Sequence, residues 1–221
     1  MSATEQTCYA DEMDTSIADL ETALAESVHR ARNDLQAVVS MLRLQARAVA
    51  DPAAREALYD AVNRIQALAH LNARLDGRAI GPKSVIDGLV FFEGLGMDIR
   101  SMHFGQRPIE LIIEAQRRPI PTIQAKPLGL ILNELMLNAL KYAFPEDRSG
   151  EVKVEFVGRK SGYVLSVKDN GVGIDISAPP RGTGIGMRMI KALVVQVGGS
   201  FNIGPGARGG TQCVMQWPAP A

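Results

Sequence analysis

Three polar clusters in the second half of the chain carry residue types suited to handling a phosphate. In Leu132-Asn133-Glu134-Leu135-Met136-Leu137-Asn138-Ala139-Leu140-Lys141, Glu134 and Asn138 are four residues apart and Lys141 three further on. On a helix all three project from neighbouring turns of one face. A carboxylate, an amide oxygen and an ammonium in a row can hold Mg²⁺ through oxygen while the cation meets a phosphate; a polar stripe facing water accounts for them equally well. The second cluster is Asp169-Asn170-Gly171-Val172-Gly173, at the end of a strand-like segment. Asp169 can accept a hydrogen bond from an exocyclic amine, and Gly171 and Gly173 remove side chains where a ligand must approach the backbone. An ordinary Asn-Gly turn is the competing explanation. The third is Arg181-Gly182-Thr183-Gly184-Ile185-Gly186, directly before a helical segment, where free N–H groups and the helix dipole favour an anion. It is not a Walker loop, since no Gly-Lys-Ser/Thr follows, and no preceding strand opens a dinucleotide fold. Between the second and third clusters, Asp175–Arg181 with Pro179-Pro180 inside it reads as a short, stiff lid.

The first half offers a nucleophile. His29 falls beside an apolar helical stripe rather than in its centre, which leaves the imidazole able to reach solvent. With an ordinary pKa of about 6.5, a neutral ring nitrogen is available at pH 7. Arg32 and Asn33, three and four residues on, share its face and could steady an incoming phosphoryl group. His70 and His103 lack such surroundings and are read as structural.

The elements that must position these groups fall into two textures. From Ile17 to about Ala50 there is no Gly or Pro, and Ile17, Leu20, Leu24, Val28, Ala31, Leu35, Val38, Leu42 and Val49 recur at helical steps. Asp51-Pro52 predicts an N-cap with Pro at the first helical position, and Leu58, Val62, Ile65, Leu68 and Leu75 continue to Gly77. Two such helices make an antiparallel hairpin, and two hairpins close into a four-helix bundle. Beyond Gly77 the spacing predicts a helix over Lys83–Met102 interrupted at Gly94 and Gly96, a strand over Pro108–Ala115, and a helix from about Lys126 to Phe144. A hairpin of Val152–Val157 and Tyr163–Val167 turns at Ser161-Gly162; a helix over Met187–Val197 and strands Phe201–Ile203 and Gln212–Trp217 follow. The fold class is α+β: a helical hairpin followed by an α/β sandwich with helices on one face of a mixed, mostly antiparallel sheet. The divisions are an acidic flexible tail over 1–16, the hairpin over 17–77 and the α/β domain over 78–221.

Composition narrows the classes. In 221 residues, 46% are hydrophobic and 22% charged, which excludes wholesale disorder. Twenty-four Lys and Arg balance twenty-four Asp and Glu, so no basic excess points to nucleic acid. No apolar run approaches the roughly 20 residues that cross a bilayer, and the acidic N-terminus is unlike a signal peptide. Cys8 and Cys213 match no metal-ligand spacing. A soluble, cytoplasmic protein without direct membrane insertion is expected, its core mainly Leu, Ile, Val, Ala and Met.

In this order, and with Gly209-Gly210-Thr211 opening the last strand, the three clusters resemble the Bergerat-type ATP-binding fold of histidine kinases, gyrase, Hsp90 and MutL over roughly residues 80–217. Glu134–Lys141 matches the N box, Asp169–Gly173 the first glycine box and Gly182–Gly186 the second. The resemblance implies that ATP and Mg²⁺ are the cofactors. Asn138 would hold Mg²⁺, with Glu134 as a further metal ligand, and Asp169 would read the adenine amino group with help from Thr211. Lys141 and Gly182, Thr183, Gly184 and Gly186 would meet the phosphates. Glu26–Gln36, followed by Ser40–Gln45, is similar to the His-Arg-x-Lys-Asn-x-Leu-Gln signature of one histidine-kinase phosphoacceptor subfamily, with Arg32 in the Lys position. It departs from related signatures at Val28, often a second His, and at Arg30, where many histidine kinases carry an acid. Glu26, Asp34 and Glu134 are alternative substitutes for that acid, and the choice stays open.

The implied function is a histidine kinase that autophosphorylates His29 from Mg-ATP, as a homodimer, and passes the phosphoryl group to an aspartate of a response-regulator receiver domain. Asn33 could also position water for the reverse reaction. A histidine phosphotransfer protein that kept the kinase shape, and an anti-sigma or ATP-gated scaffold, are the alternatives. Too few residues precede Ile17 for a sensor domain, so the expectation is a kinase core excised from something longer or a signal arriving through a separate sensor or regulatory protein.

Overall fold

The computed structural model describes residues 22–23, 26–27, 30–31, 33–75, 84–175, 184–207 and 209–219. The expected acidic tail, the lid segment after Asp175, and His29, Arg32, Gly182 and Thr183 lie outside them. The chain forms two compact units, 1–69 and 70–221.

In the first unit, residues 33–48 are helical (α1), as are the described positions before them. Helix α2 runs Pro52–Leu75. Its start follows from Asp51, whose carboxylate accepts the Ala53 and Ala54 N–H groups at 3.3 and 3.1 Å, while Pro52 gives up no helical bond. Across the hairpin, Arg43 donates to Gln66 Oε1 at 3.2 Å. The buried stripe on α1 passes through Val39 and Ala46, not Val38. Val38, Met41 and Leu44 are 43%, 61% and 66% exposed, which leaves a second apolar strip uncovered.

The division between the units at 69/70 falls inside α2, whose Leu71 and Leu75 pack into the core of the second unit. That unit opens with β1 (Val85–Asp87) and α3 (Gly88–His103), capped by Asp87, whose Oδ1 accepts Leu89 N–H at 2.9 Å. The predicted interruption at Gly94 and Gly96 is absent. Both glycines are helical and make room for neighbours: a Cβ on Gly96 would sit 2.4 Å from Ile113 Cδ1. Strands β2 (Ile109–Ala115) and β3 (Pro119–Pro121) precede α4 (Thr122–Tyr142). Helix α4 begins four residues earlier than expected and runs through Pro127. The missing Pro127 N–H would have bonded the carbonyl of Ile123, a residue 78% exposed and able to turn to water.

Strands β4 (Gly150–Arg159) and β5 (Gly162–Asp169) form the expected hairpin, followed by α5 (Ile185–Gln196), β6 (Ser200–Pro205) and β7 (Thr211–Trp217). The sheet order is β2-β4-β5-β7-β6, parallel only between β2 and β4; β1 and β3 pair separately as a short antiparallel ribbon. Alternation along the strands divides the two faces. Val152, Val154, Phe156, Leu165, Val167 and Met215 join the core with α3, α4 and α5, while Glu114, Lys153, Glu155 and Lys168 form ion pairs on the other face. Aromatic residues are few but concentrated. Phe91, Phe92, Phe156, Tyr163 and Trp217 touch in one cluster at the start of β5 and the end of β7, opposite the strand ends that carry Asp169 and Thr211.

Candidate nucleotide-binding site

The antiparallel register of β5 and β7 pairs Lys168 with Gln212, which brings the end of one strand beside the start of the other. There Asp169 Oδ1 accepts the Gly171 and Thr211 N–H groups, each at 3.0 Å. Half-buried, the carboxyl has its pKa raised by desolvation, partly countered by the bonds from Gly171 and from Thr211. Such a group is positioned by the backbone and still holds acceptor capacity on its second oxygen.

Glycine is required around it. At Gly210, φ is +71° and an added Cβ would lie 1.9 Å from the Asp169 carbonyl oxygen. Gly171 is pressed against the end of α4, where a Cβ would meet the Ala143 carbonyl oxygen at 2.2 Å, and Val172 N–H donates to that same oxygen at 2.9 Å. Asn170 ties the loop to β4: its Oδ1 accepts Glu151 N–H at 2.8 Å. The first glycine cluster is thereby stapled to the C-terminal end of the helix that carries Glu134, Asn138 and Lys141. Arg107 secures that end, donating to the Leu140 and Phe144 carbonyls at 2.6 Å each. Nothing in the local sequence around Arg107 or Ala143 signalled these roles, which depend on residues distant in the chain.

Along α4, Glu134 is buried at 4% exposure, Asn138 half-buried and Lys141 exposed. Glu134 is not part of a solvated stripe. Gly184, at φ +66°, is the N-cap of α5 and provides no side-chain cap; Gly186 is buried in the first turn. A glycine-led helix N-terminus, with its positive dipole end and no side chains in the way at Gly184 and Gly186, is the arrangement that suits an anion. In the first unit, Asn33 and Asp34 are exposed on α1, and Glu26 pairs with Arg30 at 3.5 Å.

A half-buried carboxylate bonded by the backbone, a cradle that side chains would fill, and a glycine-led helix start fit an amino-bearing heterocycle with a phosphate chain. The class is then defined by two matches. Residues 123–221 match the family described as histidine kinase-, DNA gyrase B-, and HSP90-like ATPase, and residues 26–87 match a histidine kinase family. Together the two matches support a histidine kinase with an ATP-binding domain of the gyrase and HSP90 type.

Among particular relatives, it is 29% identical over 209 residues to blue-light-activated histidine kinase 2 of Erythrobacter litoralis, covering 91% of this chain and 58% of that protein. It is 26% identical to the sensor histidine kinase PdtaS of Mycobacterium tuberculosis, covering 93% of this chain and 41% of that one. The chain thus spans about half the length of these curated relatives. The solved histidine kinase domain of a blue-light-activated histidine kinase from Erythrobacter litoralis superposes with a TM-score of 0.59 at 26% identity, over 91% of this chain and 93% of that domain. Among the described residues no helix is long and apolar enough to cross a membrane.

Proposed function

We propose that the chain transfers the γ-phosphoryl group of ATP to a ring nitrogen of His29 and then to an aspartate of a response-regulator receiver domain. The observation that carries this reading is the backbone-held carboxylate of Asp169, inside a glycine cradle and on the same chain as the His29 signature. Asp169 and Thr211 receive the base. Lys141 and the backbone of Gly182, Thr183, Gly184 and Gly186 hold the phosphates, and Asn138, with Glu134 beside it, provides oxygen for Mg²⁺. The metal, when bound, neutralises phosphate charge. Arg32 and Asn33 orient the phosphoryl group against the imidazole, which attacks in line; the N–P bond forms as the bond to ADP breaks, and the ring releases its proton. That proton goes to a carboxylate among Asp34, Glu134 and Glu26, the last of which is already paired with Arg30.

The exposed strip of Val38, Met41 and Leu44 supports a homodimer through the hairpins, since a helix pair leaves such a face to another chain. A cytoplasmic setting, and input from a separate sensor or regulatory protein or domain, complete the proposal. Incubation with γ-labelled ATP and Mg²⁺ tests it: the label is expected to be acid-labile and alkali-stable, and absent in His29→Gln and in Asn138→Ala. An acid-stable label would instead favour serine phosphorylation and overturn the assignment.

A further inference from the structure

We infer that the end of the second unit opposite Asp169 and Thr211 docks reversibly on an anionic lipid surface, through the cations Arg117, Arg118, Arg159 and Lys160 and the aliphatic side chains of Val85 and Ile123. The inference stands apart from the proposed function. The chain carries no net charge, yet two loops gather these four exposed cations in one place. Strands β2 and β4 run parallel, with Ala115 opposite Phe156, so they end side by side. Gln116 extends the pairing: its N–H donates to the Phe156 carbonyl and its Oε1 accepts Gly158 N–H, each at 3.0 Å. Arg118 then lies across β4, where a Cβ on Gly158 would sit 2.6 Å from its Nε. The Arg118 carbonyl accepts Gly88 N–H at 2.8 Å, and the Pro119 carbonyl accepts the Tyr163 hydroxyl at 2.5 Å. Arg159 and Lys160 follow Gly158 directly, at the β4–β5 turn. Backbone bonds thus hold the cations close against their mutual repulsion. Arg117 pairs with Asp87 at 2.8 Å, whereas Arg118, Arg159 and Lys160 have no ion pair among the described residues.

The β1–β3 ribbon adds an apolar component to the same end. Ile86 and Ile120 face the core and are buried, so alternation turns Val85, Asp87, Pro119 and Pro121 outward. Asp87, paired with Arg117, joins this face to the cations. Val85 is 56% exposed opposite Pro121, and Ile123, two residues further on, is 78% exposed. The Thr122 N–H donates to the Ser84 carbonyl at 2.9 Å and keeps Ile123 beside the ribbon. An exposed aliphatic side chain standing alone is ordinary; two beside outward prolines and a cation cluster select a particular ligand. Nucleic acid would satisfy the cations and leave Val85 and Ile123 in water. A bilayer surface offers both partners in adjacent layers, with anionic headgroups for Arg and Lys and the acyl boundary beneath for the aliphatic chains. Docked by this end, the unit keeps the strand ends that carry Asp169 and Thr211 turned away from the lipid.

Flotation of the full chain with vesicles tests this. One set is an equal mixture of phosphatidylglycerol and phosphatidylcholine and the other phosphatidylcholine alone, each at low and at high salt. The chain is expected to float with the anionic vesicles only, and to be released as salt rises. Arg159→Glu with Lys160→Glu, both in the turn, should lower partitioning at least about 25-fold, since each cation near such a surface is worth about fivefold. Arg47→Glu with Arg55→Glu makes the same charge change at exposed positions of the first unit and should lower it far less. Val85→Ser with Ile123→Ser should lower it about fivefold at unchanged charge. Arg117 is left intact because its partner Asp87 caps α3. No flotation with anionic vesicles, equal flotation with both sets, or equal losses in the two charge-reversed variants would overturn the inference. A loss on charge reversal with none from the serine variant would mark adsorption by charge alone, and would overturn the lipid assignment in favour of an acidic protein or nucleic acid.

Discussion

Asp169→Asn isolates the recognition step from the fold. The side-chain oxygen that accepts Gly171 and Thr211 N–H at 3.0 Å has an equivalent in asparagine, so both backbone bonds survive. What changes is the second oxygen, which becomes an amide NH₂. A charged acceptor for an exocyclic amino group is lost, worth about 1.5–3 kcal/mol, and a donor now faces a donor. ATP affinity is expected to fall about 10- to 150-fold. Guanine presents a carbonyl oxygen where adenine presents the amino group, so GTP should lose less or gain, and the preference for ATP over GTP should narrow by at least tenfold, roughly the value of one such bond. Because burial raises the Asp169 pKa, a neutral side chain suits the folded state, and the melting temperature should hold or rise. The pH dependence has opposite signs for the two properties. Any stability from the protonated carboxyl is fully present below its ordinary 3.8 and is lost as pH rises through the higher folded value. Nucleotide affinity needs the carboxylate and is lost as pH falls through that same value, sooner than an ordinary aspartate would allow. Competition of ATP and GTP against a fluorescent nucleotide, with thermal unfolding in parallel, measures all of this. An unchanged ATP-to-GTP ratio, or ATP affinity within about twofold of wild type, would refute the reasoning.

Three further perturbations test the supports of the site. Arg107→Ala removes both bonds to the end of α4 and is expected to cost about 3 kcal/mol in urea unfolding, with Arg107→Lys recovering less than half because one ammonium cannot span the Leu140 and Phe144 carbonyls; a loss under about 1 kcal/mol would contradict this. Gly210→Ala combines a positive φ with a backbone clash and should cost about 3 kcal/mol or more, about 6–12 °C in melting temperature. Gly204→Ala, which meets nothing within 4 Å, is the neutral control. Cys213, its pKa pushed up to about 12 by burial and then by the charge of Asp169, should resist alkylation in the native protein at pH 8 and react only as β7 opens, which peptide mapping of modified thiols would follow.

Much of this architecture is legible because the signals are local. Asp51-Pro52 announces α2, the alternation on either side of Ser161-Gly162 announces the β4–β5 hairpin, and the glycine spacing around Asp169 marks the loop that the structure places against the Thr211 strand. What escapes depends on partners remote in the chain. Gly94 and Gly96 read as interruptions of a helix, yet they are seats for Arg74 and Ile113. The β1–β3 ribbon is only three residues wide and flanked by Pro119 and Pro121, too short for alternation to register. Pro127 hides the true start of α4 at Thr122. On α1, Val38 and Val39 both fit a helical stripe, and only packing decides that Val39 is the buried one. A composition of 5% aromatic residues suggests an aliphatic core but does not disclose that five of those rings gather in one cluster.

The central claim is that phosphate from ATP arrives on the imidazole at position 29. Mapping the phosphorylated residue by mass spectrometry, on chain incubated with Mg-ATP and kept alkaline throughout digestion, tests it most directly. The account predicts a single phosphorylated peptide, with the phosphate on His29. Phosphate on His70, His103 or a hydroxyl side chain, with His29 unmodified, would contradict it.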